Sequence, residues 1–262
     1  MSYPSQMLKP LMVGECAEGA PPYFIGLGTP KAGTSWWYHL LMMHPQIKDN
    51  NFGVKETCYY CHNWPEENAE ELKQQYQRGF TSEDSGTVTG EWSTLYLSHP
   101  FALKRLIEDF PEARYLLLFR DPIDTLNSWL NQLMRNRAKK MLKDDDASRF
   151  MYLNYDAIPS LFAQIMRYPT LLHELQNVAG LKLLCLQYEQ NAADIQTQYD
   201  KTTDFLGLQR FELNNADVQI NTADSNLVAG LVLPEVVKND LKACARELLK
   251  MCPDFEPSLW QH

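Results

Sequence analysis

Residues 23–37, YFIGLGTPKAGTSWW, restrict what this chain can become more than any other stretch. An apolar run, Tyr23-Phe24-Ile25-Gly26-Leu27, stops at Gly28-Thr29-Pro30. Lys31, Ala32, Gly33, Thr34 and Ser35 follow, and then an aromatic-rich helical pattern begins at Trp36-Trp37. A strand, a tight glycine turn, a lysine, two hydroxyls and a helix, in that order, build an anion cradle. The N–H groups at a helix N-terminus have no partner within the helix and face outward. The helix dipole adds partial positive charge there, and Lys31 adds a full one. Small residues let the backbone approach the ligand. The spacing differs from the nucleoside-triphosphate loop, which needs Gly-Lys-Ser/Thr in sequence, because Lys31 precedes Gly33. It also differs from the dinucleotide fingerprint, since Lys31 stands at the third glycine position.

With 262 residues the chain suits one large α/β domain, and we expect a single domain over 1–262 with an irregular, Pro- and Gly-containing arm at 1–21. No apolar run reaches the length of a membrane span, and the N-terminus lacks a basic start followed by an apolar core. Scattered cysteines (16, 58, 61, 185, 244, 252) in a chain of this size suit a reducing setting, so a cytoplasmic location without membrane insertion is expected. The net charge of −9 argues against a nucleic-acid polymer as partner but leaves room for a small basic pocket. The basic run 135–140 is followed by Lys143 and Asp144-Asp145-Asp146, which fits a solvated helix face.

Strand and helix patterns alternate along the chain. Strands are expected at 23–27, 87–92, 114–119 and 181–186, with a short segment at 52–56. Helices are expected at 34–43, 65–77, 100–109, from Pro122 onward, and at 160–177, 192–206 and 234–251, with Gly207 as a stop. Continuous apolar runs such as RYLLLF at 114–119 mark strands buried on both faces. This alternation predicts a central parallel sheet flanked by helices on both faces. Ligands on such sheets bind beyond the strands' carboxyl ends. The loop at 28–35 and the strand exits at 119–122 and 187–190 should therefore meet.

Arg120, at the exit of the 114–119 run, is followed by Asp121-Pro122 and, eight residues on, by Ser128. A guanidinium fork and a hydroxyl form a second anion site. At this point the chain resembles the sulfotransferases that use 3′-phosphoadenosine 5′-phosphosulfate (PAPS). Pro30-Lys31-Ala32-Gly33-Thr34-Ser35-Trp36 is similar to their 5′-phosphosulfate loop. Arg120-Asp121-Pro122 with Ser128 resembles their 3′-phosphate element. Gln187-Tyr188-Glu189 with Phe205-Leu206-Gly207-Leu208 resembles a further segment of the family. The resemblance covers about residues 23–208 and implies a P-loop-NTPase-like fold with PAPS as co-substrate and its desulfated product, PAP, left behind. It implies that Lys31 holds the 5′-phosphate and the bridging oxygen, with Ala32, Gly33, Thr34 and Ser35 supplying donors. Trp36, and beside it Tyr188, would line the adenine.

Val54-Lys55-Glu56-Thr57-Cys58-Tyr59-Tyr60 resembles a block of the heparan-sulfate and related carbohydrate sulfotransferases, which assigns Glu56 as the base and Lys55 as its electrostatic support. His62 is the reserve base. Gly90-Glu91-Trp92-Ser93-Thr94-Leu95-Tyr96 resembles a stretch expected to line the acceptor cleft. Thr125 and Trp92 stand where the family pattern has a basic residue, and no Lys or Arg occurs between Arg210 and Lys238, where members carry a basic loop. The Cys58-x-x-Cys61-His62 pattern also matches haem attachment, but that requires export, and zinc would need further ligands, so two incidental buried thiols are expected and no metal. The expected activity is sulfuryl transfer from PAPS to a hydroxyl of a small-molecule, sugar or glycolipid acceptor. Two alternatives stand beside it. One is a P-loop kinase-like phosphotransferase, with Asp121 as the one candidate magnesium carboxylate. The other is a non-catalytic nucleotide-binding protein of the same fold. Oligomeric state is not legible.

Overall fold

The computed structural model describes residues 19–62, 68–80, 86–141, 157–214 and 233–260, the side chains of 100, 136–141, 157 and 158 excepted. Five parallel strands lie in the order β2-β3-β1-β4-β5: β1 Phe24–Gly28, β2 Ile47–Lys48, β3 Val88–Trp92, β4 Arg114–Phe119 and β5 Lys182–Gln187. Helices connect and cover them: α1 Thr34–Leu41, α2 Tyr59–His62, α3 Ala69–Gln77, α4 Pro100–Asp109, α5 Pro122–Met141, α6 Ala157–Met166, α7 Tyr168–Gln176, α8 Tyr188–Ala193, α9 Ile195–Leu206 and α10 Glu235–Met251. This is an α/β fold with helices on both faces of a parallel sheet.

The strand sequences explain the layering. In β4, Tyr115, Leu117 and Phe119 point into one core with α4, α5, α7 and α10, while Leu116 and Leu118 point into a second core with α1 and α9. Side chains alternate across a pleat, so a strand with apolar residues at every position must be covered on both sides. Gly26 of β1 has a steric reason to be glycine: a Cβ there would lie 2.1 Å from the ring of Trp92. That indole is fully buried and donates from Nε1 to the Gly28 carbonyl at 3.2 Å. Trp92 thus props the end of β1 from below.

Several boundaries differ from the sequence reading. The short segment at 52–56 carries no regular element, and the edge strand is the two-residue β2. The helix expected at 160–177 breaks at Arg167, because Pro169 belongs to the first turn of a new helix. The one expected at 192–206 starts earlier, as α8, and restarts after Asp194, whose carboxylate accepts from the Thr197 N–H at 3.2 Å.

β1 has β3 on one side and β4 on the other, so the chain leaves β1 where successive connections run to opposite sides. Parallel sheets open a crevice at this point, beyond the strand ends. The loop 29–33 sits there.

Candidate active site

The loop 29–33 leads into α1 through two left-handed residues, Lys31 at φ 67° and Gly33 at φ 82°. A lysine in this region costs roughly 1–3 kcal/mol, a strain characteristic of ligand-binding turns. Gly33 is needed twice over. Its φ disfavours any Cβ, and a Cβ would lie 2.6 Å from the Tyr188 ring. No side chain caps α1, so the N–H groups of its first turn are left facing outward. The Lys31 ammonium donates to Gln132 Oε1 on α5. Burial, then the charges of Arg135 and Arg120, hold its pKa below the ordinary lysine value.

Arg120 closes the other side. Its Nη1 lies 3.5 Å from the Lys31 carbonyl, and its guanidinium stacks 4.8 Å from the centre of the Tyr188 ring. Its Nε is buried without a partner among the described residues. Asp124 stands 3.9 Å away. The turn that carries Arg120 is fixed by neighbours. Thr125 donates to the Arg120 carbonyl, Asp121 caps α5 at the N–H groups of Ile123 and Asp124, and Glu189 accepts from the Asp121 N–H at 3.0 Å. Glu189 also accepts from Trp260 Nε1 at 2.7 Å. Burial pushes the Glu189 carboxyl above its usual range, and these donors oppose the shift. The carboxy-terminal segment therefore buttresses the arginine turn, a link across 71 residues that no local pattern announces. Ser128 lies two turns along α5, half-buried.

Trp36 is only 3% exposed, packed edge-on against Trp37 and Tyr188 at centroid distances of 5.5 and 6.0 Å. The half-buried Tyr188 presents the more open ring here, and Trp36 packs against it.

On the opposite flank, Lys55 Nζ bonds Glu56 Oε1 at 2.7 Å and Thr34 Oγ1 at 3.1 Å. Thr94 donates to Glu56 Oε2 at 3.1 Å. One lysine thus joins the candidate base to the first turn of α1. Burial lowers the Lys55 pKa, and the charge of Glu56 opposes that.

The segment carrying Glu56 hangs on a buried carboxylate. Glu91 is fully buried. It accepts from the Thr57 N–H at 3.1 Å, from Thr57 Oγ1 and Tyr96 Oη at 2.7 Å each, and from the hydroxyls of Tyr76 and Ser93. Ser93 Oγ in turn accepts from the Cys58 N–H, and Tyr96 Oη from the Tyr59 N–H. Burial and the Glu91 charge push both tyrosine hydroxyls far up, so they remain donors. The sequence reading placed 90–96 along the cleft wall. These side chains instead lie beneath it, and Thr94 is the member that touches Glu56. Replacing Glu91 with Ala orphans these donors. We expect a loss of about 3 kcal/mol or more, seen as a fall in Tm of roughly 6–12 °C in a thermal melt.

Cys58 and Cys61 are free, half-buried thiols around α2, more open than expected. His62 is exposed at the end of α2, and no contact joins it to Glu56 among the described residues. The 210–238 stretch that lacks basic residues lies mostly outside the described residues.

Two anion-directed flanks with a carboxylate between lysine and threonine define the site; the sequence model of the sulfotransferase domain matches residues 21–229. The chain belongs to the sulfotransferase family. This sulfotransferase superposes on one from Alicyclobacillus acidocaldarius with a TM-score of 0.60 at 20% identity, over 92% of this chain and 100% of that one. The sulfotransferase domain of the curacin biosynthetic pathway gives 0.58 at 14% identity, over 88% and 98% of the two chains. At such identities these likenesses speak for the fold alone. Membrane-associated sulfotransferase kil1 of Dictyostelium discoideum is 29% identical over 103 residues, 39% of this chain and 21% of that protein. The match thus spans about a fifth of that relative. Among the described residues of the sulfotransferase, no helix is long and apolar enough to cross a membrane.

Proposed function

We propose that this sulfotransferase uses PAPS and passes its sulfuryl group to a hydroxyl of a small-molecule, sugar or glycolipid acceptor. The observation that carries the reading is the adjacency of Arg120 to the lysine turn: its guanidinium lies 3.5 Å from the Lys31 carbonyl, so cations serving two ends of one ligand share one sheet edge. The buried, unpartnered Arg120 Nε also suits a bis-anionic nucleotide.

PAPS, when bound, supplies the activated sulfuryl group. Lys31 and the N–H groups at 32–35 stand where charge grows on the departing phosphate oxygen, and fixed donors there lower the barrier. Arg120 and Ser128 hold the 3′-phosphate, and Tyr188 lies against the base. Glu56 takes the proton from the acceptor hydroxyl, with Lys55 and Thr94 orienting its two oxygens. The late basic loop is not needed for this assignment, since Arg120, Lys31 and the α1 N-terminus already supply the positive field. The five free cysteines described are consistent with a reducing, cytoplasmic setting.

Calorimetric titration with PAP tests the cofactor assignment: we expect saturable one-to-one binding that weakens with added salt. An acceptor screen with ³⁵S-labelled PAPS then tests transfer. Absence of PAP binding would remove the cofactor assignment, and binding with no transfer to any acceptor would leave a nucleotide-binding module.

A further inference from the structure

A lysine is poorly suited to a fixed task. Its ammonium ends a flexible four-carbon stem with many rotamers. Stabilising charge that develops on an oxygen needs a donor whose place is set beforehand. The backbone of Lys31 is set. Thr29 bonds the Leu118 carbonyl of β4 through its N–H at 2.8 Å and its hydroxyl at 2.9 Å. Arg120 Nη1 lies 3.5 Å from the Lys31 carbonyl. The far end of the side chain is held as well, because the ammonium donates to Gln132 Oε1.

Gln132 stands on a rigid support. Asp121 caps the start of α5, and Leu126 and Leu130 bury the helix in the core. Gln132 itself is half-buried, four residues past Ser128 and so on the same helix face. The chemistry of its acceptor atom matters. An amide oxygen takes one of the three ammonium protons and leaves two N–H groups and the full positive charge for a ligand. A carboxylate in the same place would pair with that charge and repel phosphate.

We infer that Gln132 is a positioning residue: it fixes the Lys31 ammonium over the 5′-phosphosulfate loop and leaves its charge intact. The inference deepens the PAPS reading and rests on it. Three substitutions, read by PAP titration and by transfer of ³⁵S-labelled sulfate, test it. Gln132→Ala and Gln132→Met remove the acceptor oxygen, the second at nearly unchanged volume. Gln132→Glu keeps the volume and the acceptor and adds a charge.

The Ala and Met variants should behave alike. We expect kcat about tenfold lower, PAP bound about three- to fivefold more weakly, and acceptor KM within about twofold. Gln132→Glu should be worse, with PAP bound at least about tenfold more weakly. A residue that only fills space would give the opposite order, with Ala the worst of the three. Gln132→Ala should add less than about twofold to the PAP and kcat losses of Lys31→Ala, because its effect passes through that lysine. Alanine is a strong helix former, so Tm should stay within about 3 °C. Native PAP affinity in the Ala and Met variants, a Glu variant milder than Ala, an undiminished loss in the Lys31→Ala background, or a collapse in Tm would each overturn the assignment. The PAP arm needs no acceptor, so it decides the matter even where no transfer is seen. A native protein that does not bind PAP would instead remove the reading beneath it.

Discussion

Lys31→Ala is expected to lower kcat/KM for sulfuryl transfer on the order of 10³-fold, the upper range for deleting one fixed donor at a developing oxyanion. PAP should bind about 10- to 100-fold more weakly, since a charged hydrogen bond to its 5′-phosphate is lost. The fold should not suffer. Lys31 has a lowered pKa, caused by burial and then by Arg135 and Arg120. For a base, this sign means that the folded state disfavours the charged form. Its charge therefore costs stability at neutral pH, and that cost fades as pH rises through the depressed pKa. Removing the side chain should leave Tm unchanged or slightly higher, a trade of stability against activity typical of catalytic cations. Transfer within about tenfold of the native rate would show that Lys31 does not act at the leaving oxygen. A collapse in Tm would make it a structural residue.

Glu56→Gln separates proton transfer from binding. The amide keeps the size of the side chain and an oxygen for the Thr94 hydroxyl, and removes the ability to take a proton. We expect kcat to fall about 10²- to 10⁴-fold. PAP affinity should stay within about twofold, because Glu56 stands on the opposite flank from Arg120 and its ion pair with Lys55 is partly exposed, at 38% for the glutamate side chain. Single-turnover kinetics with labelled PAPS would read the chemical step directly. Native rates in this variant would pass the role of base to another group.

The sheet was legible because its signals are local. The RYLLLF run predicts β4 at its full length, and Pro100 and Pro122 mark the starts of α4 and α5. The strand–loop–helix order at 23–37 likewise predicts the cradle at the switch point. What the sequence hides is convergence. Glu91 gathers hydroxyls from Thr57, Tyr76, Ser93 and Tyr96, and no spacing rule brings these four to one carboxylate. The Trp260 indole reaches Glu189 from the far end of the chain for the same reason. Gln132 did carry a signal, its helical spacing from Ser128, but it gains meaning only once Lys31 is seen to bond it.

The strand order has a consequence for how such a protein diversifies. Of the residues proposed to serve the donor nucleotide, Arg120, Ser128 and Tyr188 follow β4 and β5 and Lys31 to Ser35 follow β1, while Glu56, Lys55 and Thr94 hang from the β3 half, so β1 is the seam between the two halves. Loops on the β3 half can change length and chemistry without disturbing donor recognition across the seam. New acceptors can thus be explored by one half while the other stays conservative, with the Lys55–Thr34 bond as a crossing point where the two histories must agree.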